Sequence, residues 1–405
     1  MRRPAAVCLM RAVVIGAGVL GASAAYHLVR AGAHVTVVDA CLAGRATAAG
    51  AGIVCPWVSG VGDPVFYRLY TEAARYYAEL VAALGEVGEH DLGFRRVGGM
   101  AVSASAVDLL CLERVVRGRQ MAAPEMGAVS RLTPREAQAL FPPLHAELGA
   151  VHVEGGARVD GRRLAAALLR ASRHHGAVVR DGEAALVATG GRVVGVRLDS
   201  ERLEADQVVV TAGSWAPALL RELGIDLPIR PQRGQIVHLR LVGQATQDWP
   251  VVLPLGASHY LLAFDDHRVV AGATRESEAG FGYRVTAAGL AEVLANALAV
   301  APGLADAEVI ETRIGFRPMG SEVRPLLGAA SAVAGLVIGN GLGAAGLTIG
   351  PFAGRLLADV ALGRAPALNL APFDPLRIPT PTPDVPVTLR YRRRPGVAAT
   401  ARSVP

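Results

Sequence analysis

The sequence predicts an α/β fold: a Rossmann-type cofactor domain built from separated segments of chain, with an antiparallel sheet inserted between them. Three observations predict it. A glycine-rich turn follows an apolar strand near residue 13. Buried-strand and glycine-turn patterns return near residues 208 and 336, and alternating apolar and polar residues fill 229–242 and 250–274. The first two patterns are typical of a parallel sheet flanked by helices, and the third of an antiparallel sheet.

The first strand is the most informative element. The stretch V-V-I-G-A-G-V-L-G enters a G-x-G-x-x-G turn ahead of a helical pattern. Gly16 permits the tight turn, Gly18 lets the backbone approach a pyrophosphate, and Gly21 lets the helix pack on the strand. The helix N-terminus then offers free N–H groups to phosphate. A second strand at 35–38 ends in Asp39, which is placed to bind a ribose 2′-hydroxyl and so favours FAD or NAD over NADP.

The order of the patterns predicts the domain boundaries. The cofactor domain comprises 10–90, 146–222 and 307–368, the substrate domain comprises 91–145 and 223–306, and 373–405 is an extended or disordered tail. Residues 41–64 are predicted as an ordered loop, because glycine, alanine and proline dominate there. Helices are predicted near 64–84, 106–119, 161–176, 286–299 and 347–362.

The charge pattern excludes several classes of function. All 41 basic residues are arginine, so a Schiff-base lysine and a P-loop lysine are both excluded. The net charge of +6 comes from the ends of the chain, with +4 from 373–405 and +2 from Arg2 and Arg3. The remaining body is neutral by count, which argues against a nucleic-acid partner.

No apolar run is long enough to span a membrane, so membrane contact is not expected. The four cysteines form neither a C-x-x-C pair nor a zinc-binding spacing, which predicts no metal site and a reducing, cytoplasmic setting.

Further motifs carry a resemblance to a known family. After the first turn and Asp39 come A-G-A-G-I-V-C-P at 49–56, V-V-V-T-A-G-S-W at 208–215, P-Q-R-G-Q at 231–235, G-F-R-P at 315–318 and G-N-G-L-G-A-A-G-L-T at 339–348. Together they resemble the glycine oxidase / D-amino-acid oxidase family of FAD-dependent amine oxidoreductases, over nearly all of residues 11–365. The resemblance implies an FAD cofactor and a small amino acid or amine as the substrate.

The resemblance also implies roles for individual residues. Arg317 would bind the substrate carboxylate, because a guanidinium matches a carboxylate with two charge-assisted hydrogen bonds. Tyr260 would face the substrate, with Tyr283 and Trp57 as weaker candidates, and a purely structural role is an equal alternative for all three. The residues implied to bind the cofactor are Gly16, Ala17, Gly18, Val19, Leu20, Gly21, Asp39, Ala40, Arg45, Thr47, Ala49, Gly50, Gly52, Ile53, Ala212, Gly213, Trp215, Gly341, Gly343, Ala344, Ala345, Gly346, Leu347 and Thr348.

The last glycine turn departs from the family pattern. Many relatives have Gly-His-Gly there, whereas this chain has Leu342 as the middle residue, and no cysteine lies nearby. Non-covalent FAD is therefore expected. The helix that follows the turn would place its N-terminus against the flavin ring and stabilise the negative charge of the reduced ring.

The function implied is oxidation of the C–N bond of a glycine-, sarcosine- or D-amino-acid-like substrate. Hydride would pass from Cα to flavin N5, the imine would hydrolyse in water, and O2 is the expected acceptor. Three alternatives stay open: a dehydrogenase of the same fold that passes electrons to a quinone or carrier, a tailoring flavoenzyme acting on a larger amine, and a non-catalytic flavin-binding protein.

Overall fold

A computed structural model of the protein describes residues 10–378. The strands are β1 (Arg11–Ile15), β2 (His34–Asp39), β3 (Ile53–Val54), β4 (Arg95–Arg96), β5 (Gly99–Ser103), β6 (Val129–Leu132), β7 (Gly149–Val153), β8 (Ala157–Arg158), β9 (Val178–Asp181), β10 (Ala184–Thr189), β11 (Arg192–Leu198), β12 (Glu201–Glu204), β13 (Gln207–Val210), β14 (Ile229–Arg240), β15 (Val251–Pro254), β16 (Tyr260–Ala263), β17 (Arg268–Gly272), β18 (Glu308–Gly320), β19 (Leu326–Ala329) and β20 (Leu336–Asn340). The helices are α1 (Val19–Arg30), α2 (Ala46–Ala49), α3 (Pro64–Gly85), α4 (Ala106–Gln120), α5 (Pro134–Leu140), α6 (Gly161–His174), α7 (Ala216–Arg221), α8 (Ala287–Val300) and α9 (Gly346–Ala361).

The predicted cofactor domain is built on a six-stranded sheet of order β19-β20-β13-β1-β2-β9. Its strands run parallel except for β19, which pairs antiparallel with β20. Helix α1 packs on this sheet between α6 and α9. The glycine turns after β1, β13 and β20 therefore lie together at the carboxyl edge of the sheet, where doubly wound folds bind their ligands. The predicted Rossmann-type fold is confirmed.

The inserted sheet has eight strands in the order β18-β14-β17-β16-β15-β5-β7-β6. Its pairs are antiparallel except for β15 with β5. The predicted domain boundaries place β7 and β18 in the cofactor domain. Both strands instead pair within this eight-stranded sheet. β18 belongs to this sheet because it pairs with β14 along nearly its whole length, from Ile229 opposite Gly320 to Arg240 opposite Glu308.

A proline inside α9 shapes the last helix and ties it to two others. Pro351 has no N–H, so the carbonyl of Leu347 lacks its helical donor. The buried Tyr77 hydroxyl of α3 donates to that carbonyl instead. The carbonyl of Pro351 itself accepts the Ser23 hydroxyl of α1 at 2.6 Å. These bonds hold the N-terminus of α9 at a defined place between α1 and α3.

Two further predictions need correction. Within 41–64, predicted as a loop, the chain forms α2 and β3, and β3 pairs with the distant β8 through Ile53 opposite Arg158. The predicted tail begins later than residue 373, because Phe373 is buried and the Arg377 guanidinium contacts Glu322 at 3.2 Å. The rest of the tail, and Arg2 and Arg3, lie outside the described residues. No helix within 10–378 is both long and apolar enough to cross a membrane.

Candidate active site

A cavity of about 920 Å³ lies between the two large sheets. One end is bounded by the glycine turns of the parallel sheet and the β9–β10 connection, and the other end by β16, β18 and residues 253–260. Its volume is near the upper end of the range of about 300–1,000 Å³ found for ligand pockets. The cavity is therefore large enough for a dinucleotide together with a small substrate.

The first glycine turn forms the wall at the N-terminus of α1. Gly16 has φ of +103°, a conformation that L side chains rarely adopt, and a Cβ there would lie 2.7 Å from the carbonyl oxygen of Thr211. At Gly21 a Cβ would lie 1.9 Å from the carbonyl oxygen of Gly16, so this glycine packs the helix on the strand. The Thr47 hydroxyl accepts a hydrogen bond from Val19 N at 3.0 Å. The turn thus brings backbone N–H groups to the cavity without a side chain in the way, as a pyrophosphate site requires.

Asp39 lies at the end of β2 and is nearly fully buried. Its carboxylate accepts hydrogen bonds from Ala17 N at 2.6 Å, from Cys41 N at 2.8 Å and from Arg45 Nη1 at 3.0 Å. A carboxylate can accept about four hydrogen bonds, so one position stays available to a ribose hydroxyl at the cavity surface. The predicted role of Asp39 therefore fits its position.

Two stretches of this cavity were not identified in the sequence. The β9–β10 connection and the start of β10, residues 182–185, line the end nearest Asp39, together with Arg197 and Asp199. The features that mark Gly182 are structural, since it follows a strand that pairs with β2 and has φ of +143°. Cys55 and Tyr70 line the middle, and burial raises the pKa of each to about 12. Both side chains are therefore uncharged at neutral pH.

The two later glycine turns are joined by one asparagine. Asn340 Nδ2 donates to the carbonyl of Gly213 at 2.8 Å, and its Oδ1 accepts from Gly341 N at 2.8 Å. The side chain thus connects the turn after β13 to the turn after β20. It holds both beside the N-terminus of α9, and Leu342 lies in the cavity wall there.

The end of the cavity formed by β16 and β18 is the predicted substrate end. It brings together the two predicted catalytic residues, Arg317 and Tyr260. Arg317 Nη1 donates to the carbonyl of Thr274 at 3.0 Å and lies 3.4 Å from Gln232 Oε1, both neutral groups. A Cβ on Gly234 would lie 2.7 Å from the guanidinium nitrogens of Arg317, so this glycine makes room for the side chain. Burial raises the pKa of Tyr260, against the opposing effect of the nearby Arg317 and Arg275. Arg275 is the third residue of this group, and the sequence analysis missed it.

A hydrogen-bonded network behind the cavity supports this end. Glu276 accepts from Arg233 Nε at 3.1 Å, from Gln235 Nε2 at 2.7 Å and from Thr274 Oγ1 at 2.7 Å. Although burial opposes it, these hydrogen bonds hold the pKa of Glu276 below its usual value. Gln235 also bonds the hydroxyl of Thr286 at 2.9 Å. Arg233 and Gln235 thus tie segment 274–286 to β14.

Most of the predicted site residues lie in the cavity wall, and some do not. The residues outside the wall are Ala17, Gly21, Gly341, Ala345 and Thr348. The Thr348 hydroxyl donates to the carbonyl of Ile53 at 2.8 Å, so it binds β3 rather than the cavity. The weaker candidates also lie elsewhere: Trp57 is buried away from the cavity, and the exposed ring of Tyr283 packs on Phe316.

Comparisons with known proteins agree with this geometry. Residues 11–360, which include the whole cavity wall, match the family model described as FAD dependent oxidoreductase (DAO). The chain is 47% identical over 364 residues to Uncharacterized oxidoreductase YurR of Bacillus subtilis (strain 168), covering 90% of this chain and 98% of that protein. It is 31% identical over 371 residues to Glycine oxidase of Pseudomonas aeruginosa, with the same coverage of 90% and 98%.

Solved structures of oxidases have similar folds. Iminodiacetate oxidase (IdaA) from Chelativorans sp. BNC1 superposes with a TM-score of 0.88 at 52% identity, over 90% of this chain and 99% of that one. Glycine oxidase from Geobacillus kaustophilus superposes with a TM-score of 0.80 at 25% identity, over 92% of this chain and 100% of that one.

Proposed function

Because the chain belongs to the DAO family of FAD-dependent oxidoreductases, we propose that it oxidises the C–N bond of an amino acid or secondary amine. The observation that carries the proposal is Arg317, whose guanidinium lines the substrate end of the cavity and bonds only neutral groups within the described chain. Such a group favours a carboxylate as its ligand. The oxidases among the related proteins, named for iminodiacetate and glycine, support a small amine that carries a carboxylate.

The cavity residues would have separate roles in this reaction. FAD, when bound, would supply the acceptor for a hydride, which is two electrons and one proton, from the substrate carbon. The turn after β1, Thr47 and Asp39 would hold the dinucleotide, and the N-terminus of α9 would face the ring. Arg317 would fix the carboxylate and thereby orient Cα. The carbon–nitrogen double bond of the product would then take up water, which gives an oxoacid and ammonia or an amine. Alignment is the main contribution of these residues, since the reaction needs no strong protein base.

The experiment is anaerobic mixing of the holoenzyme with glycine, sarcosine, iminodiacetate, D- and L-amino acids and cyclic amines. We expect rapid loss of the visible flavin absorbance with at least one carboxylate-bearing amine. Flavin that stays oxidised with every compound would contradict the proposal. Admitting air then tests the acceptor, because an oxidase restores the colour with one hydrogen peroxide per turnover, whereas a dehydrogenase needs an added quinone.

We also propose that FAD is held without a covalent bond. Two cysteines, Cys41 and Cys55, line the cavity, and burial raises the pKa of both thiols, that of Cys55 to about 12. A thiolate is the reactive form of cysteine, so attack on the ring is disfavoured. Acid precipitation should therefore leave the yellow colour in the supernatant. Colour that stays with the precipitate would show a covalent link.

A further inference from the structure

The substrate end of the cavity contains a second arginine, Arg275, that the proposed reaction does not use. Its side chain lines the cavity beside Arg317 and Tyr260 and is exposed to it. Within residues 10–378 it makes no hydrogen bond or ion pair, whereas most buried or half-buried arginines of this chain contact an acid, as Arg233 does with Glu276. A guanidinium that is directed into a pocket without a partner is available to a ligand.

The backbone explains why Arg275 points into the cavity. Segment 274–276 pairs antiparallel with 233–235, through Thr274 N to Gln235 O at 3.2 Å and Glu276 N to Arg233 O at 2.9 Å. Neighbouring side chains of an extended segment point to opposite faces. Thr274 and Glu276 face the network behind the cavity, so Arg275 faces the other side, across from Gly234.

Both guanidinium groups therefore lie on the side of the sheet that faces the cavity, near Gly234. Gly234 is the residue whose missing side chain makes room for Arg317, and it also lies opposite Arg275. Burial in the cavity wall and the charge of Arg317 lower the pKa of Arg275, and no carboxylate contributes to that shift. The acidic residues of the wall come from other elements: Asp39, Glu183, Asp199 and Glu222. The substrate end thus carries two positive charges without a protein counter-charge.

We propose that Arg275 binds a second carboxylate of the substrate, so that the preferred substrates are amines that carry two carboxylates. This inference rests on the proposed function, in which Arg317 binds the first carboxylate. The two neighbouring positive charges repel each other, and a dianionic substrate compensates both of them, whereas a monoanionic one compensates only one. The class includes secondary amines with two carboxymethyl arms and amino acids with an acidic side chain.

The reaction balances for the simplest member, iminodiacetate. One CH2–N bond is oxidised to C=N with loss of two electrons and two protons, which reduce O2 to hydrogen peroxide. Water then adds to the C=N bond and the C–N bond breaks. Iminodiacetate, water and O2 thus give glycine, glyoxylate and hydrogen peroxide. Either arm can react, because exchanging the two carboxylates between Arg317 and Arg275 gives the same complex.

The test compares matched substrates that differ by one carboxylate: iminodiacetate against sarcosine, and aspartate against alanine in both configurations. The reductive half-reaction is measured anaerobically with the wild-type holoenzyme and with Arg275→Gln. We expect wild type to prefer the dicarboxylate of a pair, and we expect Arg275→Gln to reduce that preference about 10- to 150-fold, mainly through substrate affinity. The pair with the larger preference identifies the source of the second carboxylate.

Two controls keep the result interpretable. Arg284→Gln removes an exposed guanidinium from the same segment and should leave the preference unchanged. Reoxidation by O2 is followed separately. Equal use of both members of each pair by wild type would overturn the inference, as would an Arg275→Gln variant that loses only its rate of reoxidation. Those outcomes differ from failure of the proposed function, in which no amine reduces the flavin at all.

Discussion

Gly234 makes room for the guanidinium of Arg317 and lies opposite Arg275 in the paired segment. A Cβ at this position would lie 2.7 Å from both terminal nitrogens of Arg317. Gly234→Ala should therefore displace the guanidinium without unfolding the sheet, because the flexible end of the side chain can move. We expect KM for the best amine to rise about tenfold or more, since a misplacement of about 1 Å in a binding group can cost 100-fold.

The matched control for this change is Gly118→Ala on α4. A Cβ there meets no atom within 4 Å, so KM should not change. Unaltered kinetics in Gly234→Ala would show that Arg317 does not occupy the position described.

At this scale the sequence predicts some residues and misses others. Arg317 could be predicted from the motif around it, and Asp39 from its distance to the first turn. Arg275 could not, because no local pattern shows that Thr274 and Glu276 face Gln235 and direct Arg275 to the cavity. That assignment depends on pairing between segments about 40 residues apart in the chain.

Helix α1 lines the cavity through its first turn, and Thr47 is the side chain from outside the helix that caps it. Its hydroxyl accepts from Val19 N at 3.0 Å. Thr47→Val keeps the shape and removes the acceptor. We expect the Kd for FAD to rise about fivefold, corresponding to about 1 kcal/mol for a lost helix cap. Titration of apoprotein with FAD measures it. Thr47→Ser should bind as wild type, and a Thr47→Val variant with unchanged affinity would remove this role.

Helix α9 depends on a donor from α3 because of Pro351. Tyr77→Phe leaves the Leu347 carbonyl without either its helical donor or the hydroxyl. The expected loss is about 1–3 kcal/mol in the free energy of unfolding, as for a buried acceptor left unpaired. Chemical denaturation of the holoenzyme measures it.

Tyr67→Phe is the matched control on the same helix. The Tyr67 hydroxyl is buried and finds no partner within the described residues, so its removal should be nearly neutral. Equal effects of the two substitutions would contradict the assigned bond.

Elements with strong local patterns were predicted well, and elements that depend on distant partners were not. The helices α1, α3 and α6 follow from local sequence patterns, and at the start of α6 the Asp160 carboxylate accepts a hydrogen bond from Arg162 N at 2.9 Å. The two-residue strand β3 exists because β8 pairs with it, and nothing within 41–64 signals that partner.

The whole molecule shows the same distinction. The parallel sheet and its glycine turns could be predicted because each strand has a local pattern of apolar residues followed by glycine. The division between the domains could not be placed correctly, because membership of β7 and β18 in the inserted sheet is decided by pairing across the molecule.

Stability of the whole molecule should decline in mild acid. Burial, together with Arg355 and Arg30, lowers the pKa of His27 to about 3, and the ring bonds the Tyr76 hydroxyl at 2.7 Å. The unfolded state binds a proton near pH 6.5 and the folded state does not until about pH 3. Stability from this group is therefore complete above pH 6.5 and is lost as the pH falls below it.

The His27→Gln variant tests this claim. Between about pH 7.5 and 5.5, wild type should lose roughly 1 kcal/mol more stability than the variant, because one pKa unit corresponds to about 1.4 kcal/mol. Thermal unfolding at the two pH values measures the difference. Parallel losses in both proteins would mean that His27 does not stay neutral.

The most direct test of the account is substrate binding by Arg317→Ala. The protein should retain FAD and its visible spectrum, since Arg317 lies at the substrate end. The binding free energy of the best amine, taken from its apparent Kd in anaerobic flavin reduction, should become less favourable by roughly 2–5 kcal/mol. Arg230→Ala, which removes an exposed arginine from the paired strand β14, should behave as wild type. An Arg317→Ala enzyme that binds and oxidises the amine as wild type does would contradict the central claim.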